Sequence, residues 1–383
     1  MDKTKELRKG YTTGSCSAAA AAAAARLLIN PELPDIHKIK ISLPHGEELE
    51  LPIETIERTD EWVRCAVRKE SGDDPDITNG AMIYAKVSKT DTRPGEVILV
   101  GGEGVGYVTK PGLACPVGAP AINPVPQKMI RAQVGEEADA AAYGNGLLIE
   151  ISIPEGVALA KKTFNPKLGI VGGLSILGTT GIVEPMSEQA IIDTIKVEIN
   201  MKKAVGMDCI ILTPGNYGQT FMQDYLEEAK AHTVKCSNYI GESVKYCFDS
   251  GFSNILLVGH LGKLVKVAAG AMNTHSKYGD MRMETLANYS KQFGADENVT
   301  DSLLECVTTE EAVSVLNGKG LLESVVDLVL QDIVEQLKKT IDYKLNIEVV
   351  LYANQHGFLG QTEGTKMLIE RMLGEKEWQN YTE

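Results

Sequence analysis

Apolar and polar residues alternate over six short stretches in the first half of the chain, at residues 39–43, 49–53, 62–67, 82–87, 97–100 and 147–153. A repeat of two is that of a strand with one buried face, so each stretch predicts a β-strand. Only two helices interrupt them, at residues 17–29 and 127–135. With so few crossover helices, most neighbouring strands must pair antiparallel. This half therefore predicts an α+β domain with a mainly antiparallel sheet.

After residue 164 the pattern changes. Unbroken apolar runs at residues 168–171, 209–212, 255–258 and 347–351, with a weaker one at 233–236, end in loops that lead into periodic helices. Strands apolar on both faces belong to a parallel sheet covered by helices, so this half predicts a three-layer, Rossmann-like α/β domain. Ile192, Ile195 and Ile199 recur at helical spacing within 187–205, another helix begins near Gln219, and Thr308 with Glu311 forms a capping box. The turn-rich stretch Lys161-Lys162-Thr163-Phe164-Asn165-Pro166-Lys167 marks a boundary. It predicts domains at residues 1–165 and 166–383, and a chain of 383 residues exceeds the usual single core.

Composition narrows the classes of partner. A net charge of -14 repels phosphate backbones, no block of Lys and Arg offers a local exception, and aromatics at 5% leave little for base stacking, so no nucleic-acid partner is expected. No apolar run approaches the roughly 20 residues that span a bilayer, so no membrane partner is expected. The seven cysteines are odd in number, scattered and never spaced as CxxC, which points to reduced thiols, a cytoplasmic location and no structural zinc. Basic residues near the start, followed by alanines at 18–25, superficially suggest an export signal. Acidic residues among the basic ones, an intervening polar stretch and the weak apolarity of Ala favour a helix of the mature protein instead.

Several segments carry candidate chemistry. Gly10-Tyr11-Thr12-Thr13-Gly14-Ser15-Cys16-Ser17 opens the alanine helix, where free amides either favour an anion or are simply capped. Gly101 to Gly106 superficially matches a dinucleotide fingerprint, but Pro111, Pro116 and Pro120 follow in place of the required helix. The loop from there to Pro126 is long enough to form a binding wall. Asp73, Asp74 and Asp76 lie close together, as a solvated turn or as ligands for a hard cation.

Richer loops follow the second-half strands, where parallel sheets gather ligands beyond their carboxyl ends. They are Gly172 to Gly181, Thr213 to Gly218, and Gly259-His260-Leu261-Gly262-Lys263. Asn273-Thr274-His275-Ser276 then places a group that titrates near neutrality beside other polar residues, so His275 is a candidate proton acceptor. His37, His45, His232 and His356 have no comparable neighbours in sequence. No HExxH, nucleophile elbow, Walker A or kinase motif occurs.

Taken in order, these segments resemble the CbiD family of cobalt-dependent corrin-ring methyltransferases over nearly the whole chain. The resemblance rests on Leu7 to Cys16, Gly72 to Asp76, Gly101 to Gly106, Val108 to Gly112, Pro120 to Pro126, Thr163 to Pro166, Leu168 to Gly173, Gly178 to Ser187, Pro214 to Gly218, and Gly259-His260 through His275-Ser276. It implies transfer of a methyl group from S-adenosylmethionine to C-1 of cobalt-precorrin-5B, giving cobalt-precorrin-6A and S-adenosylhomocysteine. It also implies a corrinoid substrate that already holds cobalt, so no protein-bound metal is expected. Another tetrapyrrole-modifying enzyme, hydrolytic or ring-contracting, and a noncatalytic corrinoid carrier are the alternatives.

Residue roles come from local chemistry and not from the family. Gly172, Gly173, Thr179, Thr180, Gly215 and Asn216 are expected to hold the methyl donor, although the usual acidic residue for its ribose is missing after the second strand. Thr12, Thr13, Ser15, Lys110, Lys128 and Arg131 are expected to meet the substrate's carboxylates. His275 would manage a proton, while His260 and Lys263 would orient either ligand.

Overall fold

The computed structural model describes residues 7–93, 95–215 and 227–379. The chain mixes helices and strands throughout and divides into two compact units, Met1–Ser187 and Glu188–Glu383.

The first unit begins with β1 (Gly10–Tyr11) and α1 (Thr13–Ile29), followed by β2 (Lys38–Ser42), β3 (Glu48–Pro52), β4 (Thr55–Arg58), β5 (Trp62–Arg68), β6 (Met82–Thr90), β7 (Val97–Gly101) and β8 (Tyr107–Val108). Then come α2 (Pro124–Ala140), β9 (Gly146–Ser152), α3 (Gly156–Ala160), β10 (Ile170–Val171) and β11 (Ile182–Val183). Strands form at all six alternating stretches. The main sheet runs β4-β5-β6-β9-β7, antiparallel except where α2 carries the chain from β7 to a parallel β9. Along β6 the alternation is literal, with Ile83, Ala85 and Val87 fully buried on one face.

The alanine helix lies in the middle of this unit. No residue from Ala18 to Ala25 is more than 1% exposed, because α1 packs across β5 and β6 and also against α2. A helix that carries only methyl groups is thin enough to be enclosed in this way. Its C-terminal end is tied to α2 by Arg26, whose Nε and Nη2 donate to Glu137 at 2.9 and 2.6 Å. α2 starts at Pro124, earlier than its apolar pattern suggests, since proline fits the first turn where its missing N–H is not needed.

Two expectations are corrected here. Residues 168–171 do not start the second domain's sheet: β10 pairs antiparallel with β8, and β11 with β1, so residues 166–187 belong to the first unit. Leu174 and Ile176 are buried in its core. The glycines at 101–106 serve this crossing. Gly104 has φ +72, and a Cβ there would lie 1.8 Å from the Ile153 carbonyl oxygen, while a Cβ on Gly173 would lie 2.1 Å from the Gly104 oxygen. Backbone meets backbone here, which only glycine permits.

The second unit contains α4 (Glu188–Ala204), β12 (Cys209–Thr213), β13 (Thr233–Lys235), α5 (Ile240–Asp249), β14 (Asn254–His260), α6 (Leu261–Ala268), α7 (Arg282–Gln292), α8 (Glu297–Glu305), α9 (Thr309–Gly318), α10 (Leu322–Lys339), β15 (Asn346–Ala353), β16 (Gly357–Gln361) and α11 (Thr365–Gln379). The helix expected near Gln219 lies outside the described residues. The sheet order is β13-β12-β14-β15-β16, parallel except for the antiparallel edge strand β16. Both faces are covered. Ile210, Leu212, Ile255, Leu257, Ile347 and Val349 face the larger helical layer, and Cys209, Ile211, Leu256, Val258 and Val350 face Leu368 and Met372 of α11.

Candidate functional site

From β12 the chain passes to β13 on one side, whereas from β14 it passes to β15 on the other. Such a reversal opens a crevice between the carboxyl ends of the two central strands. Gly215 follows β12 with φ +90, and a Cβ placed there would be 3.5 Å from the Lys263 ammonium, which rises from the first turn of α6. Lys263 Nζ donates to Asn238 Oδ1 at 2.8 Å, and the Thr274 hydroxyl donates to the same oxygen at 3.3 Å. Partial burial holds the Lys263 ammonium below its ordinary pKa, an effect that nearby Lys235 and Lys266 reinforce. The Thr213 hydroxyl, at the end of β12, is buried and has no hydrogen-bond partner among the described residues. A cation, an amide and an unscreened backbone thus gather within one rim. Asn216 lies outside the described residues. Cys236 borders the rim, but burial pushes its thiol up to about 12, which makes it a poor nucleophile.

His260 ends β14 and caps α6. Its Nδ1 accepts from the Gly262 amide at 2.9 Å, so the neutral ring carries its hydrogen on Nε2, which lies 3.0 Å from Glu310 Oε1. Glu310 also accepts from the amides of Asn354 and Gln355 at 2.8 and 3.1 Å, and the ring of Tyr352 stands edge-on to His260 at 5.6 Å. Burial alone would raise the Glu310 carboxyl, but these donors outweigh it and hold the group below its ordinary range. His260 therefore ties the end of β14 to the start of α9 and to the turn between β15 and β16. His356, which had no notable neighbours in sequence, lies 4.0 Å from Glu310 and 3.3 Å from the Ser314 hydroxyl.

His275 is exposed, and its Nδ1 accepts from the Lys277 amide at 3.1 Å. The neutral ring then presents an N–H at Nε2, a donor in place of the expected proton acceptor.

The remaining expected site residues all lie in the first unit. Thr13 and Ser15 are buried, and their hydroxyls donate to the carbonyls of Leu177 and Gly181 at 3.2 and 2.7 Å. The Gly14 amide also donates to Leu177, at 2.8 Å, and Thr12 Oγ1 accepts from the Ser15 amide. The start of α1 is thus closed by the loop that carries Thr179 and Thr180, and capping prevails over anion binding there. Gly172, Gly173, Thr179 and Thr180 all belong to the first unit, where Gly173 lies against Gly104, and Gly178 and Gly181, on either side of the two threonines, lie against Thr12 and Ser15. Lys110, Lys128 and Arg131 are exposed, with the Arg131 guanidinium donating to the Val97 carbonyl.

The acidic loop at 73–76 is a turn with Asp73 exposed, and its carboxylates are engaged within the protein. Asp76 pairs with Lys69, which is 2% exposed, at 2.5 Å. Asp73 accepts from the Arg8 amide at 2.7 Å, and Asp74 from the Met186 amide at 3.2 Å. Among the described residues no group of His, Cys, Asp and Glu is arranged to hold a metal ion. No helix there is long and apolar enough to cross a membrane. An open depression of about 780 Å³ lies between α10 and the end of β16, lined by Glu335, Lys338 and Glu348. It borders the opposite end of β15 from His260, away from the rim.

Asn238 and Glu310 were missed by sequence reasoning. Each is an ordinary polar residue in sequence, and only strand order and helix packing bring it to the rim.

A family model described as CbiD matches residues 1–185, and one described as CbiD, C-terminal domain matches residues 273–363. A protein of Ruminiclostridium cellulolyticum named cobalt-precorrin-5B C(1)-methyltransferase is 44% identical over 91% of this chain and 90% of its own length. One of the same name from Alkaliphilus metalliredigens is 42% identical over 97% of this chain and 96% of its own. The crystal structure of a cobalamin biosynthesis protein (cbiD) from Archaeoglobus fulgidus is 29% identical, aligning with 71% of this chain and 83% of that one at a TM-score of 0.39.

Proposed function

This chain belongs to the CbiD family, and we propose that it transfers a methyl group from S-adenosylmethionine to C-1 of cobalt-precorrin-5B, giving cobalt-precorrin-6A. The observation that carries this is the 44% identity, over nine-tenths of both chains, to a relative named for that reaction. The chain is a corrin-ring C-methyltransferase with a small corrinoid substrate. Nucleic acid and membrane have no part in this reading. Seven scattered cysteines, six of them buried, support a reducing, cytoplasmic setting.

The second unit reads as a Rossmann-like three-layer domain, supported by its parallel strand order and its two covered faces. Its rim suits a small zwitterionic nucleoside. Lys263 would meet the donor's carboxylate, and Gly215 lets the ligand approach the backbone. Asn238, just after β13, stands where dinucleotide sites often carry an acidic residue for a ribose. S-adenosylmethionine supplies an electrophilic methyl on a sulfonium, so the chain's task is alignment and not covalent catalysis. Asn238 fixes the Lys263 ammonium, and His260, with both ring nitrogens engaged, holds the surrounding loops. His275 would donate from Nε2 at the edge of the site, and Lys110, Lys128 and Arg131 would meet substrate carboxylates in the first unit.

Incubating the protein with methyl-labelled S-adenosylmethionine and cobalt-precorrin-5B should move label into the macrocycle in equal amount to the S-adenosylhomocysteine formed. Absence of label from the corrinoid would refute the reaction. Lys263→Met should weaken donor binding about tenfold, the scale of one lost charged contact. Unchanged donor affinity would place the donor elsewhere.

A further inference from the structure

The substrate of the proposed reaction is a flat macrocycle edged with carboxylates, and recognising it calls for an apolar platform with cations around it. The first unit has one surface of this kind. Residues 104–135 contain Lys110, Lys128 and Arg131 but no Asp or Glu. Residues 156–183 contain Lys161, Lys162 and Lys167 and again no acidic residue. In a chain of net charge -14, both acid-free stretches are basic, and the fold joins them. β8 pairs with β10, Val105 bridges to Leu174, Ile122 bridges to Ile176, and the Thr109 amide donates to the Gly169 carbonyl at 2.8 Å.

The ribbon has an inner and an outer face. Val108 and Ile170 are buried, while their neighbours Tyr107 and Val171, directly opposite each other, are 43% and 58% exposed. Partners in antiparallel register share a face, so an aromatic ring and a branched side chain stand together in the open. The Tyr107 hydroxyl donates to the Gly101 carbonyl at 3.0 Å, which fixes the ring. Lys110 runs over Gly169, where a Cβ would come within 2.5 Å of the Lys110 Cγ. Phe164 is 56% exposed, with the Lys167 ammonium 5.4 Å from its ring centre. No carboxylate of either stretch competes for these cations.

We infer that this ribbon is the docking surface for the carboxylated corrinoid, with Tyr107 and Val171 against the macrocycle and Lys110 and Lys167 pairing with its nearest carboxylates. The inference rests on the proposed function and adds to it the surface by which the substrate is held.

The test uses the full chain and two stable probes, cobyrinic acid and its fully methyl-esterified form, by isothermal titration. The acid should bind and the ester should not. A Lys110→Gln/Lys167→Gln variant should bind the acid about tenfold or more weakly and with a shallower salt dependence. Tyr107→Ser should also weaken binding, and Lys319→Gln in the second unit should leave it unchanged. The inference is overturned if the acid does not bind, if the double variant keeps wild-type affinity, if the ester binds equally well, or if a single-stranded oligonucleotide competes as strongly as the acid. The labelled-methyl assay separates the two readings. If the wild type methylates and the double variant keeps its KM for cobalt-precorrin-5B, the surface is wrong and the reaction stands. If the wild type does not methylate but the acid binds through Lys110 and Lys167, the reaction is wrong and the surface stands.

Discussion

Lys69 shows how much a single residue's meaning depends on its surroundings. Its side chain is 2% exposed, and the ammonium is held by Asp76 at 2.5 Å and the Ser71 hydroxyl at 2.6 Å, while the other Asp76 oxygen accepts from the amide and hydroxyl of Thr78. Replacing Asp76 by Asn leaves a buried cation without its counter-charge, which should cost about 3–5 kcal/mol in urea denaturation at pH 7. Burial alone would raise the Asp76 carboxyl, but Lys69 and the Thr78 donors outweigh it and hold it low. A depressed carboxyl contributes its stability above the unfolded-state value and loses it as pH falls through the folded-state value. The gap between wild type and Asp76→Asn should therefore narrow below about pH 4. A gap independent of pH would show that the ion pair is not its source. In sequence these aspartates suggested a turn or a cation site, because a buried lysine seven positions away has no local signature.

At the scale of elements, α1 is the feature whose form was readable and whose placement was not. Eight alanines predict a helix with strong propensity, and side chains of single methyl groups permit close approach. The structure shows that the approach is on all sides, with Ala21 fully buried between the sheet and α2. Ala21→Leu barely changes helix propensity, yet it should destabilise the protein by about 1–3 kcal/mol through overpacking. Thermal unfolding measures this, and an unchanged Tm would mean that the helix has a free face. The helix also starts four residues before the expected Ser17, because the carbonyls that receive the first-turn groups come from Leu177 and Gly181, far along the chain. The six alternating strands and the capping box at Thr308 were legible because their signals are local. The two-residue strand β10 was misassigned to the second domain, since a short apolar run carries no record of its partner.

For the whole molecule, the position of the division after Ser187 makes a direct prediction. Residues 166–187 supply Leu174 and Ile176, which are 2% and 0% exposed, to the first core, and β11 to pair with β1. A fragment of residues 1–187 should melt cooperatively, whereas residues 1–165 should lose about 3–6 kcal/mol from those two side chains alone. That is a large part of a typical domain's stability, so circular dichroism of the shorter fragment should show no sharp transition. Equal melting of the two fragments would favour the boundary near residue 165.

The sequence by itself determined the kinds of element, the change of pattern from alternating to unbroken apolar runs, and the family, because period, capping and ordered motifs are properties of neighbouring residues. It also contained the two acid-free stretches, 104–135 and 156–183, without indicating that they meet. Tertiary structure alone decided which strands pair, that the loop at 172–181 closes α1, and that Asn238 joins Lys263 at one rim. These are contacts between distant parts of the chain, fixed by the burial of side chains that pack only once the whole unit has formed.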